Sequence, residues 1–184
     1  MIRNTLASIV AVWLLLPTPA LAQPADSWVG KQIMTKKADI SPQSAYTAPI
    51  SYPEPHKEKH AGRKTWQITR QYRLKQVGVN RVELPPGTWS TQRHWHTIND
   101  EVVIVIAGEL VVVSDDGEET LGPGDCIAFK AGVPNAHHMQ NRGDVPAIYY
   151  DIGGRDAWDL SNFPDIGLQA HLSMKLEFRP LRKK

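Results

Sequence analysis

Cysteine is all but missing from this chain of 184 residues, and Cys126 stands alone. No internal disulfide can therefore brace the fold, although oxidising surroundings are tolerated. Strong charge of either sign is missing too: the formal net charge is +2, too even a balance to mark a nucleic-acid-binding or acidic-surface-binding protein. No repeat of solenoid period appears, and no glycine-rich phosphate loop precedes a helix. Nor is there an apolar run of membrane-spanning length. The longest, residues 6–16 (LASIVAVWLLL), is too short to cross a bilayer comfortably and is closed by Pro17 and Pro19. With Arg3 before it and Ala20-Leu21-Ala22 after it, this run reads as an export signal cleaved after Ala22. The expected location is periplasmic or secreted, with no stable membrane insertion after cleavage. The alternative is an uncleaved anchor. No cysteine follows the run, so a lipid-modified N-terminus is not indicated. Cys126 lies beside Ile127 and Phe129 and is expected to be a buried, inert thiol.

Residues 23–58 are polar and rich in proline, with no sustained period, and are expected to form an extended arm packed along a domain. One short strand is expected at residues 29–34, and an arm of this kind commonly covers a sheet edge. His56 and His60 sit in a charged run and are expected at the surface. From Thr65 the pattern becomes short alternations of polar and apolar residues, beginning WQITRQYRL and VGVNRVEL. Turns follow at Gly87, at Gly108, at Asp115-Asp116-Gly117 and at Gly124-Asp125. About nine or ten short strands divided by such turns predict an all-β barrel or sandwich. One helical turn is expected around residues 156–160.

The chemistry is concentrated in residues 93–141. Side chains alternate along a strand, so His94 and His96 share a face while Trp95 takes the other. Glu101 heads an apolar strand, where an unpartnered charge would be costly. About one hairpin later come His137 and His138, then Asn141. Three imidazoles and one carboxylate meeting at one point would hold a metal.

At these residues the chain resembles the cupin family. The first cupin motif runs glycine, five residues, His-x-His, three or four residues, glutamate, six residues, glycine. Here His94-Trp95-His96, Glu101 and Gly108 match it, with six residues rather than five after Gly87. The second motif begins Gly-Asp, matched by Gly124-Asp125, and continues to a histidine and an asparagine, matched by His137 and Asn141. Its Pro-x-Gly is replaced by Lys130-Ala131-Gly132, and four residues rather than two separate Gly132 from His137. These departures concern loop geometry more than ligands. The resemblance implies an all-β, cupin-type double-stranded β-helix (a jelly-roll barrel) with an N-terminal extended arm. The corresponding organisation is a signal peptide at 1–22, the arm at 23–58, the cupin β-barrel at 59–163 and a C-terminal tail at 164–184. It also implies His94, His96, Glu101 and His137 as metal ligands. The three-residue spacing to Asn141 favours His137 over His138, and the distance to Gly108 favours Glu101 over Asp100.

Such a site would hold one divalent transition metal: manganese, iron, nickel or zinc. The resemblance points to the first three, while metal uptake outside the cytoplasm would follow affinity order and favour zinc or copper. Three neutral imidazoles and a carboxylate leave the ion near +1, which favours a small anionic or oxygen-rich ligand. The expected function is a metal-dependent oxygenase, isomerase, decarboxylase or lyase; the alternative is a non-catalytic cupin that binds or senses a small molecule. A homodimer is expected by resemblance, and no nucleic-acid partner. Gln92, Arg93, Tyr149 and Asp151 lie on strands expected to line or approach the site, with Arg93 facing away. Trp89 and Trp95 are expected to pack rather than to serve as substrate platforms.

Overall fold

The computed structural model describes residues 37–46, 52–56, 60–171 and 177–180. The export signal, the strand expected at 29–34 and much of the arm lie outside the described residues. Alternation builds the centre of the molecule. In β2 (Val77–Leu84), β4 (Glu101–Ala107) and β9 (Ala147–Gly154), every second side chain is buried over the end of β2, the first five residues of β4 and the start of β9. These three pair antiparallel, flanked by β1 (Lys64–Gln67) and β7 (Cys126–Phe129), in a five-stranded sheet of order β1-β2-β9-β4-β7. A second sheet has the order β6-β5-β8, from β5 (Leu110–Ser114), β6 (Gly117–Leu121) and β8 (His137–Gln140). A third, β12-β11-β10-β3, joins β3 (Trp95–His96), β10 (Leu160–Phe163), β11 (Leu168–His171) and β12 (Glu177–Pro180).

The inward faces of the first two sheets supply the main core. Val82, Leu84, Val103, Val105 and Tyr149 of the five-stranded sheet cluster with Leu110, Val112 and Met139 of the three-stranded one. Each fully buried aliphatic side chain contributes about 1.5–3 kcal/mol before chain entropy is counted. A smaller cluster of Tyr52, Phe163 and Ala170 lies under the third sheet. The arm meets edge strand β1 at residues 41–46: Tyr46 and Thr65 exchange backbone hydrogen bonds of 2.7 and 2.9 Å. The Trp66 indole also donates to the Ser41 carbonyl at 2.8 Å. Among the described residues no helix is long and apolar enough to cross a membrane.

The expected closed barrel is not what forms. The fold is all-β and cupin-like, but its three sheets are open and none closes on itself as a jelly-roll barrel. The physical reason is visible where closure would occur. Residues 88–94 pair with β8 as two isolated bridges, Trp89↔Gln140 and His94↔His137, rather than as a continuous strand, and β3 is two residues long. Between those bridges the Gln92 amide turns away from β8 and donates to the Tyr52 hydroxyl at 3.2 Å.

Three local expectations are also corrected. The stretch WQITRQYRL is not one strand: β1 stops at Gln67 and a single helical turn, α1 (Ile68–Gln71), follows. The Thr69 hydroxyl there accepts the Val79 amide at 3.0 Å, which fastens the turn to β2. The helical turn expected near 156–160 is a single tight turn, closed by the Asp159 amide donating to the Asp156 carbonyl at 3.3 Å, and β10 follows it. Cys126 is exposed, because β7 alternates and only Ile127 and Phe129 of its residues pack on the core.

Candidate metal centre

Each sheet brings part of the predicted ligand set. Glu101 opens β4 in the five-stranded sheet, His96 closes β3 in the four-stranded sheet, and His137 opens β8 in the three-stranded sheet. His94 lies just before β3 and is bridged to His137, each donating its amide to the other's carbonyl at 3.0 and 2.9 Å. One donor atom from each of His94, His96 and Glu101 falls within a common span of 4.8 Å. These three form a cluster able to coordinate a single divalent metal ion. His137 stands beside it rather than within that span, its Nε2 lying 3.3 Å from Glu101 Oε2.

The second nitrogen of every ring is tied to an acceptor. His94 Nδ1 lies 3.1 Å from the Gln92 carbonyl and 3.2 Å from Thr91 Oγ1. His96 Nδ1 lies 2.5 Å from Asp159 Oδ2, and His137 Nδ1 lies 3.0 Å from the Asn135 carbonyl. Bonds of this kind set the tautomer and leave Nε2 with its lone pair. Two of those lone pairs face one carboxylate oxygen: Glu101 Oε2 is 3.3 Å from His137 Nε2 and 3.9 Å from His96 Nε2. Acceptors so arranged in a buried space need a positive charge among them, so the residues fit a divalent cation.

Their protonation tendencies differ from ring to ring. Burial and the neighbouring His96 hold His94 down at about 3, so its ring is neutral. Burial disfavours the Glu101 carboxylate, but the adjacent His137 ring and the other surrounding histidines outweigh it and hold the group at about 2. Burial also works against charge on His96, and the Asp159 hydrogen bond overcomes it, raising its pKa.

Asp159 is the functional residue that sequence reasoning did not find. It is fully buried, and beyond His96 it accepts from the Ile98 amide at 2.8 Å and the Thr97 hydroxyl at 3.2 Å. Its only signal was a carboxylate set in the otherwise apolar and neutral stretch AWDLSNF. His60 is a second correction, buried rather than at the surface: its Nδ1 lies 3.4 Å from the Trp89 carbonyl and its Nε2 3.4 Å from Gln92 Nε2. His138 turns away from the cluster, packed edge-on to Trp89 and bonded to the Thr91 carbonyl at 2.9 Å. Asp100 is exposed and accepts the Ala131 amide. Arg93 faces away as well, bridging Asp115 and Asp165 at 2.7 Å each. Asn141 donates to the Leu84 and Val145 carbonyls at 2.8 Å, a turn-holding arrangement.

His94, His96 and Glu101 line a cavity of about 250 Å³, together with Tyr149 and Asp151 from β9. Alternation places these last two on one face. Asn80 donates to Asp151 at 3.2 Å. Burial, reinforced by the nearby Glu101 charge, pushes the Asp151 carboxyl up to about 6. Trp95 and His137 line a second cavity, which His96 borders as well.

A family model described as "Cupin domain" matches residues 80–153. Among solved structures, a sugar phosphate isomerase of the cupin superfamily from Silicibacter pomeroyi is 35% identical with a TM-score of 0.73; the match covers 79% of this chain and 92% of that one. A putative sugar phosphate isomerase from Acidithiobacillus ferrooxidans is 23% identical with a TM-score of 0.59, over 66% of this chain and 81% of its own. The polyketide cyclase RemF from Streptomyces resistomycificus is 15% identical with a TM-score of 0.53, over 67% and 81%. The last two show shared fold alone. No curated protein matches the chain. Matched motif residues, a converging ligand cluster and a relative sharing a third of its residues over most of both chains agree: this chain belongs to the cupin superfamily.

Proposed function

We propose that this chain is an exported, metal-dependent cupin enzyme that isomerises a small oxygen-rich molecule, with His94, His96, Glu101 and His137 holding the ion. The observation that carries the reading is the convergence of Nε2 lone pairs on Glu101, at 3.3 and 3.9 Å, beside an open cavity that also contains Asp151. A divalent ion held there supplies a Lewis acid toward a carbonyl or hydroxyl oxygen. The isomerase choice is supported by the likeness to the Silicibacter pomeroyi protein, whose name describes a sugar phosphate isomerase.

The residues of this chain then have distinct tasks. Asp151, steadied by Asn80, takes the proton from a hydroxyl-bearing carbon and returns it to the adjacent carbonyl carbon. The hydroxyl proton passes to the former carbonyl oxygen, so the net change is a shift of one carbon-bound and one oxygen-bound hydrogen. Tyr149, its phenol kept protonated by burial, lines the same space as a hydrogen-bond donor.

The test is proton exchange from heavy water into a panel of hydroxyaldehydes, hydroxyketones and their phosphates, followed by NMR with metal-loaded protein. Deuterium should enter one carbon position in wild type and not in D151N, at equal metal content. Binding without exchange would instead establish the non-catalytic alternative. Export is checked separately: after expression with its leader, the mature chain should begin at Gln23.

A further inference from the structure

The two buried side-chain polar atoms that lack a partner among the described residues are both hydrogen-bond donors: Arg63 Nε and Asn99 Nδ2. Both residues line the cavity that holds the metal cluster. Native proteins rarely leave buried donors unmet, and a guanidinium cannot escape the cost by losing its proton. Other arginines show how this chain ordinarily treats the group. Arg93 bridges two carboxylates, Arg142 grips both oxygens of Glu118, and Arg81 lies over the Trp66 ring at 4.4 Å. Arg63 is half-buried and hydrogen-bonds the Tyr149 phenol, but it forms no ion pair among the described residues, and Arg155 at the cavity's exposed margin forms none either.

Charge points the same way. The acidic groups lining the cavity are Glu101, Asp151 and Asp100. A divalent ion offsets the first two, which leaves two guanidinium groups against Asp100 alone. Gly78, Gly153 and Gly154 leave the margin beside Arg155 uncrowded. Gly154 is required there, because a Cβ would stand 2.5 Å from Asn99 Oδ1 and displace the Asn99 amide.

We infer that Arg63, with Asn99 and Arg155, forms an oxyanion-binding pole of the metal cavity, and that the ligand is a small molecule carrying a phosphate or carboxylate group. This rests on reading the cavity as the substrate site and adds what the metal cluster does not specify. The planar guanidinium suits bidentate recognition of such an oxyanion, while the ligand's hydroxyl or carbonyl end extends toward the histidines.

Inorganic phosphate and malonate are the probes, titrated calorimetrically into full-length metal-loaded protein. At least one should bind wild type, and the probe preferred distinguishes a phosphate group from a carboxylate. R63Q should weaken that probe at least tenfold with metal content unchanged, and R155Q about threefold. If R63Q does not fold, R63K keeps the charge without the fork and should weaken the probe at least fivefold. Wild-type affinity in R63Q or R63K, or no binding of either probe by wild type, would overturn the inference. Probe binding lost on metal removal but untouched in R63Q or R63K would place the anion on the ion and overturn it equally. Failure of the metal reading has a different signature: H96A would retain full metal content, whatever the arginine variants do.

Discussion

Asp159→Asn removes one charge and changes one atom, yet it should disable a ligand two positions into the neighbouring strand. Asp159 serves four donors, with His96 Nδ1 on Oδ2 and Ile98, Thr97 and Asn99 on Oδ1. An asparagine can keep Oδ1 toward the backbone amides, which turns its NH₂ toward His96. Nδ1 must then accept, and the imidazole proton moves to Nε2, the nitrogen that faces Glu101. Loss of an anchoring carboxylate of this kind typically lowers metal affinity 10–100-fold, or about 1.4–2.7 kcal/mol. The fold should weaken too, by about 1.5–3 kcal/mol for the lost charge-assisted bond. Zinc(II) or manganese(II) titrated into chelator-stripped protein measures the first effect, and urea unfolding of the metal-free form measures the second. Metal affinity within twofold of wild type would refute the tautomer argument, whatever happens to stability.

Other outcomes follow from the same geometry. H137A should lower metal affinity at least tenfold while H138A leaves it within threefold, as metal titration will show; the reverse order would exchange their roles. G108A should cost about 2–5 kcal/mol in urea unfolding, since φ is +70° and a Cβ would meet backbone atoms of Pro146 and Ala147 at 2.7 and 2.8 Å. A loss under about 1 kcal/mol would contradict that packing. Burial holds the His60 pKa below its ordinary 6.5. The fold therefore favours neutral His60, so its contribution is complete above about pH 6.5 and declines as pH falls below it. Unfolding free energy between pH 7 and pH 5 should drop less steeply in H60Q than in wild type, and equal slopes would refute this.

Much of the architecture was legible because alternation is local. The strand faces of β2, β4 and β9, the shared face of His94 and His96, and the turns at Gly87, Gly108 and Gly124 all follow from near neighbours in the sequence. Barrel closure was not legible, because an inward-outward alternation reads identically in an open sheet and a closed one. The apolar setting of Cys126 misled for a related reason: a run of apolar residues hides which member faces out, and the pairing Ile104↔Cys126 decides it. Asp159 escaped because its partner His96 lies 63 residues away, a distance no spacing rule bridges. His60 looked exposed within HKEKHAGRK, yet Tyr52 and the distant Gln92, 32 residues on, enclose it.

Because the proposed ligands are drawn from all three unclosed sheets, an ion among them would act as a keystone as well as a reagent. Occupancy would then register far from the cavity, as slower amide exchange in all three slabs and a melting point that climbs with metal concentration. At a thousandfold excess over the dissociation constant the gain would be about 4 kcal/mol. Starved of metal, the molecule would lose its brace and its chemistry in the same event.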